Sequence, residues 1–388
     1  MNVPKLRFKE FNDEWNLTNI RNISSLVTKG TTPKKYEDNG INFVKVENIH
    51  DNLISNISSY ISGDTHNKEL KRSILKENDI LFSIAGALGR TAIVKKSILP
   101  ANTNQANAII RIENLDNIDL YYLLNRLNHT DITNYINKCQ SVGAQPNLSL
   151  EQVNNINISL PSINEQNKIG NMLFLLDKKI ELQSKKIEDL KLFKKGLHDK
   201  LFNEVTGNVY LLSDIAIFEN GKGHENIVDE NGKYILINSK FISTEGNVTK
   251  KCSEQLTPLF KNDITMVMSD LPNGKALAKC YYIDENNKYS LNQRICKIKI
   301  KDDSIINSKY LFYLLDRNPY YLRFDDGVNQ TNLKKDDILS LNLVLPSIKD
   351  QERNSKTLTI IDNFIEKENN KLSKLNLLKK GLMQSMFV

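Results

Sequence analysis

Apolar positions along the chain fall into two patterns. Short runs such as Asn42-Phe43-Val44-Lys45-Val46, Ile80-Leu81-Phe82-Ser83-Ile84, Ala108-Ile109-Ile110-Arg111-Ile112, Tyr234-Ile235-Leu236-Ile237 and Ile295-Cys296-Lys297-Ile298-Lys299-Ile300 predict strands separated by Gly-, Asn- and Lys-rich loops. Two longer stretches, about 163–203 and 348–388, space their apolar residues by threes and fours. The first carries Ile169, Leu173, Leu176, Ile180, Ile187, Leu190, Leu197 and Leu201, with polar gaps at Gln183 and Lys194; the second carries Leu358, Ile361, Ile365, Leu372, Leu375, Leu382 and Met386. That spacing predicts a coiled-coil seam on each of two long helices. At about 1.5 Å per residue, each helix runs roughly 60 Å. Pro161 and Pro346, each followed by serine, mark the helix starts. Shorter helices near Leu120–Arg126 and Tyr310–Arg317 make each globular part α+β.

The two long stretches are copies. Leu160-Pro161-Ser162-Ile163 recurs as Leu345-Pro346-Ser347-Ile348, an offset of 346 − 161 = 185. The same offset carries Gln166 onto Gln351, Asp177 onto Asp362, and Lys194-Lys195-Gly196-Leu197 onto Lys379-Lys380-Gly381-Leu382. Upstream, with gaps, Asn78-Asp79-Ile80 resembles Asn262-Asp263-Ile264, Gly89-Arg90 resembles Gly274-Lys275, Asn104-Gln105 resembles Asn292-Gln293, and Tyr122-Leu123-Leu124 resembles Tyr313-Leu314-Leu315. The tract Gly143-x-Gln145-x-Asn147-Leu148 matches Gly327-x-x-Gln330-x-Asn332-Leu333. The organisation is therefore a duplication: a domain over 1–160, a spacer helix over 161–203, a second domain over 204–345 and a second spacer helix over 346–388. The second helix leaves the second domain and pairs with the first only by running back, so the expected pair is antiparallel and the chain pseudo-twofold.

Composition narrows the chemistry. A net charge of +7, from 53 Lys and Arg against 46 Asp and Glu, gives a mild attraction to polyanions. The four cysteines, Cys139, Cys252, Cys280 and Cys296, form no C-x-x-C pair, and the five histidines are dispersed, so neither a metal site nor a catalytic residue is expected. No Walker-type G-x-x-x-x-G-K-[ST] occurs, and Asn318-Pro319-Tyr320-Tyr321 lacks the second proline of the adenine-methyltransferase motif. No apolar run approaches a membrane span and the first residues hold no leader-like apolar segment, so a cytoplasmic protein without a membrane partner is expected.

The order of variable domain, helix opening at Leu-Pro-x-Ile, second variable domain and matching helix resembles the specificity subunits of Type I restriction-modification systems along essentially the whole chain. The start, Val3-Pro4-Lys5-Leu6-Arg7-Phe8 followed by Trp15, is similar to theirs too. The resemblance implies a recognition subunit that catalyses nothing and reads a bipartite, asymmetric target in double-stranded DNA, one half per target-recognition domain. Its partners are two methyltransferase subunits and the endonuclease/translocase subunits. The chain itself binds no cofactor, with S-adenosylmethionine, ATP and Mg expected on the partners. Two rivals are a stand-alone DNA methyltransferase and a coiled-coil DNA-binding regulator.

Candidate DNA contacts follow from side-chain chemistry. In the first domain they are Lys29, Thr31, Lys34, Lys35 and Tyr36 in one loop, Arg90 behind a glycine tract, the amides Asn104 and Gln105, and Gln145. In the second they are Lys222, His224, Lys275, Asn292, Gln293, Arg294 and Gln330. A solvated loop, a plain glycine turn and amides capping strand ends are the competing structural roles. Off the seam, Met172, Leu175 and Phe193 are candidates for subunit docking, against simple packing on their own domain.

Overall fold

The computed structural model describes residues 3–139, 146–272 and 274–388. Its contacts divide the chain into two units, Met1–Lys185 with Asn369–Val388, and Lys186–Glu368. Both cuts fall inside the long helices, so each unit holds one globular part and a half of each helix.

In the first unit a four-stranded antiparallel sheet runs in the order Ser24–Lys29, Asn107–Ile112, Ile80–Ser83, Thr91–Ile93. Alternate residues of its central strands serve different layers. Ile80, Phe82, Ala108 and Ile110 pack with Leu123, Leu124 and Leu127 of the helix Leu120–Leu127. Leu81, Ala92 and Ile109 pack instead with Val44 and Ala101 of a second sheet, ordered Tyr60–Ile61, Ile41–Val44, Ala101–Thr103. A sheet covered on both faces needs apolar residues on both, which is why these strands read as continuous apolar runs.

The second unit repeats the topology. Its sheets run Ala216–Asn220, Ile295–Ile300, Ile264–Val267, Cys280–Tyr282 and Lys251–Cys252, Tyr234–Ile237, Tyr289–Leu291. In both units the second sheet contains one parallel pair. Asn78 and Asn262 adopt left-handed φ of 70° and 74°. The aspartate that follows each one accepts a backbone N–H, from Lys76 at 2.7 Å and from Phe260 at 2.8 Å. The repeated Asn-Asp-Ile is thus a turn that launches the sheet strand.

The long helices are Ile163–Asn203 and Ile348–Met386. Within the first unit their halves run antiparallel: Ile169 and Leu173 cluster with Met386 and Phe387, and Asp177 pairs with Lys379 at 2.6 Å. In the second unit Leu197 and Leu201 meet Leu358 and Ile361, and Lys194 pairs with Asp362 at 2.5 Å. The two ion pairs are one interaction made twice, since 177 and 194 map onto 362 and 379 at the 185 offset.

Each domain is fastened to its helix by a buried glutamine. Gln166, 2% exposed, donates through Nε2 to the carbonyls of Pro161 (2.9 Å) and Asn117 (3.2 Å), and its Oε1 accepts the N–H of Asp119 at 3.1 Å. Gln351, fully buried, does the same with Pro346 (3.0 Å), Ile305 (3.0 Å) and Asn307 (2.9 Å). Asp119 and Asn307 in turn cap the helices Leu120–Leu127 and Ser308–Leu315. The geometry therefore pairs Tyr122 with Tyr310, both fully buried, and corrects the sequence match of Tyr122 with Tyr313 by three residues.

Replacing Gln166 or Gln351 by alanine strands three backbone groups. Each change is expected to cost about 2–3 kcal/mol and to speed hydrogen exchange at Asp119 or Asn307 respectively, read by denaturant titration and exchange mass spectrometry.

Candidate nucleic-acid interface

Most of the tracts singled out along the sequence meet at one end of each domain. In the first domain the loop after Lys29 is tied to the turn before the central strand: Thr31 N–H donates to Thr103 O and Gly30 N–H to Asn107 O, both at 3.1 Å. A side chain at Gly30 would collide with the carbonyls of Thr103 and Asn104, so only glycine allows this approach. Thr32 Oγ1 hydrogen-bonds to Gln105 Oε1. On the other side Ile84 N–H donates to Ala106 O at 2.8 Å, and Ala85 bridges to Asn147. Lys29, Lys34, Lys35 and Gln105 stand exposed, and Thr31 is half-buried. Tyr36 packs edge-on against Phe43 with Lys45 over its ring. Partial burial, aided by Glu47, pushes its phenol pKa up.

The second domain repeats the construction. Gly221 N–H donates to Ile295 O at 3.0 Å, Lys222 bridges to Asn292, and a side chain at Gly221 would strike Asn292 O. Gln293 Nε2 donates to Glu225 Oε1. Met268 N–H donates to Arg294 O at 3.0 Å, Ser269–Asp270 pairs with Thr331–Asn332, and Gln330 Nε2 donates to Ser269 Oγ at 2.6 Å. Lys222, Lys275, Gln293, Arg294 and Gln330 are exposed. Cations, amides and exposed backbone turns on one face suit phosphates and base edges together.

Several candidates have structural roles instead. His224 is 1% exposed, with Nδ1 at 2.7 Å from Lys222 O and Nε2 at 2.7 Å from Ser290 Oγ, and thus holds the loop from beneath. Asn104 caps its own turn, its Oδ1 accepting the Ala106 N–H at 3.3 Å; Asn292 is half-buried, and its Oδ1 has no hydrogen-bond partner among the described residues. Arg90 is half-buried and donates to Ile49 O at 3.2 Å and Val46 O at 3.4 Å. Its counterpart is not Lys275 but Lys279: Ser83 N–H donates to Arg90 O as Val267 N–H donates to Lys279 O. Lys279 clasps Ser243 O and Glu245 in the same fashion. A longer second-domain loop shifted the sequence match by four residues. Gln145 lies outside the described residues.

Sequence reasoning missed Arg72, exposed with Nη2 at 3.5 Å from Thr31 Oγ1, because nothing local links it to that loop. It also missed Leu271 and Val328, 69% and 76% exposed on the second-domain loops. Isolated apolar residues inside polar loops were the available signal.

Along the helices Met172 packs into the cluster of Trp15, Ile169 and Met386, which removes it from the docking candidates. Leu175 and Phe193 are 65% and 60% exposed. Leu192, Ile360, Leu377 and Leu378 are similarly uncovered. Leu175 maps onto Ile360, Leu192 onto Leu377 and Phe193 onto Leu378 at the 185 offset, so three bare apolar positions recur on both helices, whereas Leu182 and Phe364, 66% and 53% exposed, map onto Lys367 and Lys179. Among the described residues no helix is long and apolar enough to cross a membrane, and no group of His, Cys, Asp and Glu could hold a metal ion.

Comparison with known proteins gives one consistent result. A putative Type I restriction enzyme specificity subunit, MjaX of Methanocaldococcus jannaschii, is 24% identical, with 98% of this chain and 95% of that protein aligned. The solved S subunit of a Type I restriction-modification system from M. genitalium superposes with a TM-score of 0.66 at 16% identity, covering 100% of this chain and 99% of that one. A chain from a structure on complex assembly and conformational transition of the Type I R-M system gives 0.58 at 14%, covering 96% and 97%. The Type I restriction modification DNA specificity domain matches twice, over residues 12–192 and 205–377. With both halves of the duplication matched, the chain belongs to the DNA specificity subunits of Type I restriction-modification systems, which recognise DNA sequence.

Proposed function

We propose that this subunit reads a bipartite, asymmetric DNA target, one half with each domain, and directs adenine methylation and cleavage carried out by partner subunits. The observation that carries this reading is the duplicated interface: two domains of one topology present equivalent loops at the same sheet end, sharing an Asn-Gln pair and differing in the side chains around it. A shared scaffold gives each domain the same approach to the duplex, and unlike side chains give the halves different sequences. The charged face supplies sequence-independent attraction, and base-edge contacts supply the choice.

The three apolar positions that recur on both helices support docking of two copies of one partner, the methyltransferase subunit, with the endonuclease/translocase subunits joining that core. Bare leucines and a phenylalanine on a helical surface are costly to leave in water and suit a helical partner. In this reading the chain is non-catalytic and cytoplasmic. S-adenosylmethionine, ATP and Mg sit on the partners.

Methylation mapping in cells with and without the chain, its partners present, is expected to show an asymmetric two-part motif that vanishes without it; methylation unchanged by its loss contradicts the proposal. Changing Leu192 and Phe193 to Ser is expected to weaken co-purification of the methyltransferase subunit at least tenfold while leaving the melting temperature within a few degrees. Lengthening both long helices by the same number of residues is expected to change the base pairs between the half-sites and not the bases read, as the mapped motif will report.

A further inference from the structure

The two interfaces share a scaffold, and their first decisive difference lies on it. Asn104-Gln105 in one domain and Asn292-Gln293 in the other are the same two residues. A pair present in both domains cannot by itself make the halves read differently. The next residue is Ala106 in the first domain and Arg294 in the second. Their equivalence is set by hydrogen bonds, since the carbonyl of each accepts the N–H that follows the central sheet strand, Ile84 on Ala106 and Met268 on Arg294.

Arg294 holds an unusual place. Its φ is +67°, a left-handed conformation that a long side chain adopts at a cost. Arg294 is exposed, and its guanidinium makes no hydrogen bond or ion pair among the described residues. Loops bonded to the same strand end carry Leu271 and Val328, which the domain leaves almost bare. A planar fork of donors on a loop joined to the same strand end as loops with uncovered apolar side chains suits the major-groove edge of guanine, O6 and N7, and a thymine methyl.

Resting on the function proposed above, we propose that Arg294 is the specificity-determining residue of the second domain, donating both arms of its guanidinium to one guanine. The half-site read by the first domain, with Ala106 at that place, lacks this contact.

The test uses the subunit with its partner methyltransferase subunits and three versions of the chain: wild type, Arg294→Gly and Arg294→Lys. Glycine accepts φ of +67° freely, so that variant keeps the turn while removing the side chain; an unchanged melting temperature verifies this. Methylation mapping with the wild type defines the motif. A wild type that directs no two-part methylation defeats the functional proposal itself. Given a motif, Arg294→Gly is expected to relax one required G·C pair in one half and no other. Competition with duplexes carrying each of the four base pairs there is expected to show a loss of about tenfold or more for G·C alone. Lysine keeps the charge but not the fork, and is expected to lose most of that preference. A motif unchanged in Arg294→Gly overturns the assignment. So does an equal loss for all four base pairs restored by lysine, which marks a phosphate contact.

Discussion

Everything each domain presents to a ligand depends on where it is fastened, and the fastening is a single buried amide. A glutamine side chain has two donors and an acceptor site with room for more than one bond. At Gln166 and Gln351 those valences are spent on the prolyl carbonyl at the helix start, a carbonyl of the loop ahead of the capped helix, and the N–H of the capping residue. Inside a low-dielectric joint such bonds are costly to break, because each freed group has no water to turn to. The long helix and the globular part of each unit therefore behave as one piece.

With the joint secured and the main sheet covered on both faces, side chains in the interior have little room to vary. Variation is left to the loops at the sheet end. Even there the backbone is constrained: Gly30 and Gly221 let one loop lie directly on the next, and His224 and the Arg90–Lys279 pair of positions hold the turns from behind. What is free to change is a handful of exposed side chains on a stationary frame. That is a suitable arrangement for a subunit that recognises DNA sequence.

The helices also carry apolar surface outside their seam. Their seam is formed within each unit by leucines, isoleucines and the repeated Asp–Lys pair, and the leucines, phenylalanines and isoleucine outside it stay exposed. Three of them, Leu175, Leu192 and Phe193, recur at the repeat offset as Ile360, Leu377 and Leu378, whereas Met172, packed against the Trp15 cluster, maps onto Thr357.

Periodicity determined the two long helices and the principal strands, because an apolar residue every 3.5 positions and a run buried on both sides are dictated by local geometry and water, and residue identities recurring at the 185 offset determined the duplication. The runs at Tyr234–Ile237 and Ile295–Ile300 coincide with their strands to the residue. The tertiary structure alone decided which polar residues are free. His224 and Gln293 lie in equally polar stretches, yet one is sealed beneath a loop and the other stands in solvent, because burial depends on what folds over a residue from 60 or more positions away. Register across loops of unequal length was equally out of reach. The partners of Arg90 and Tyr122 are defined by hydrogen bonds, and those are indifferent to the number of residues in a turn.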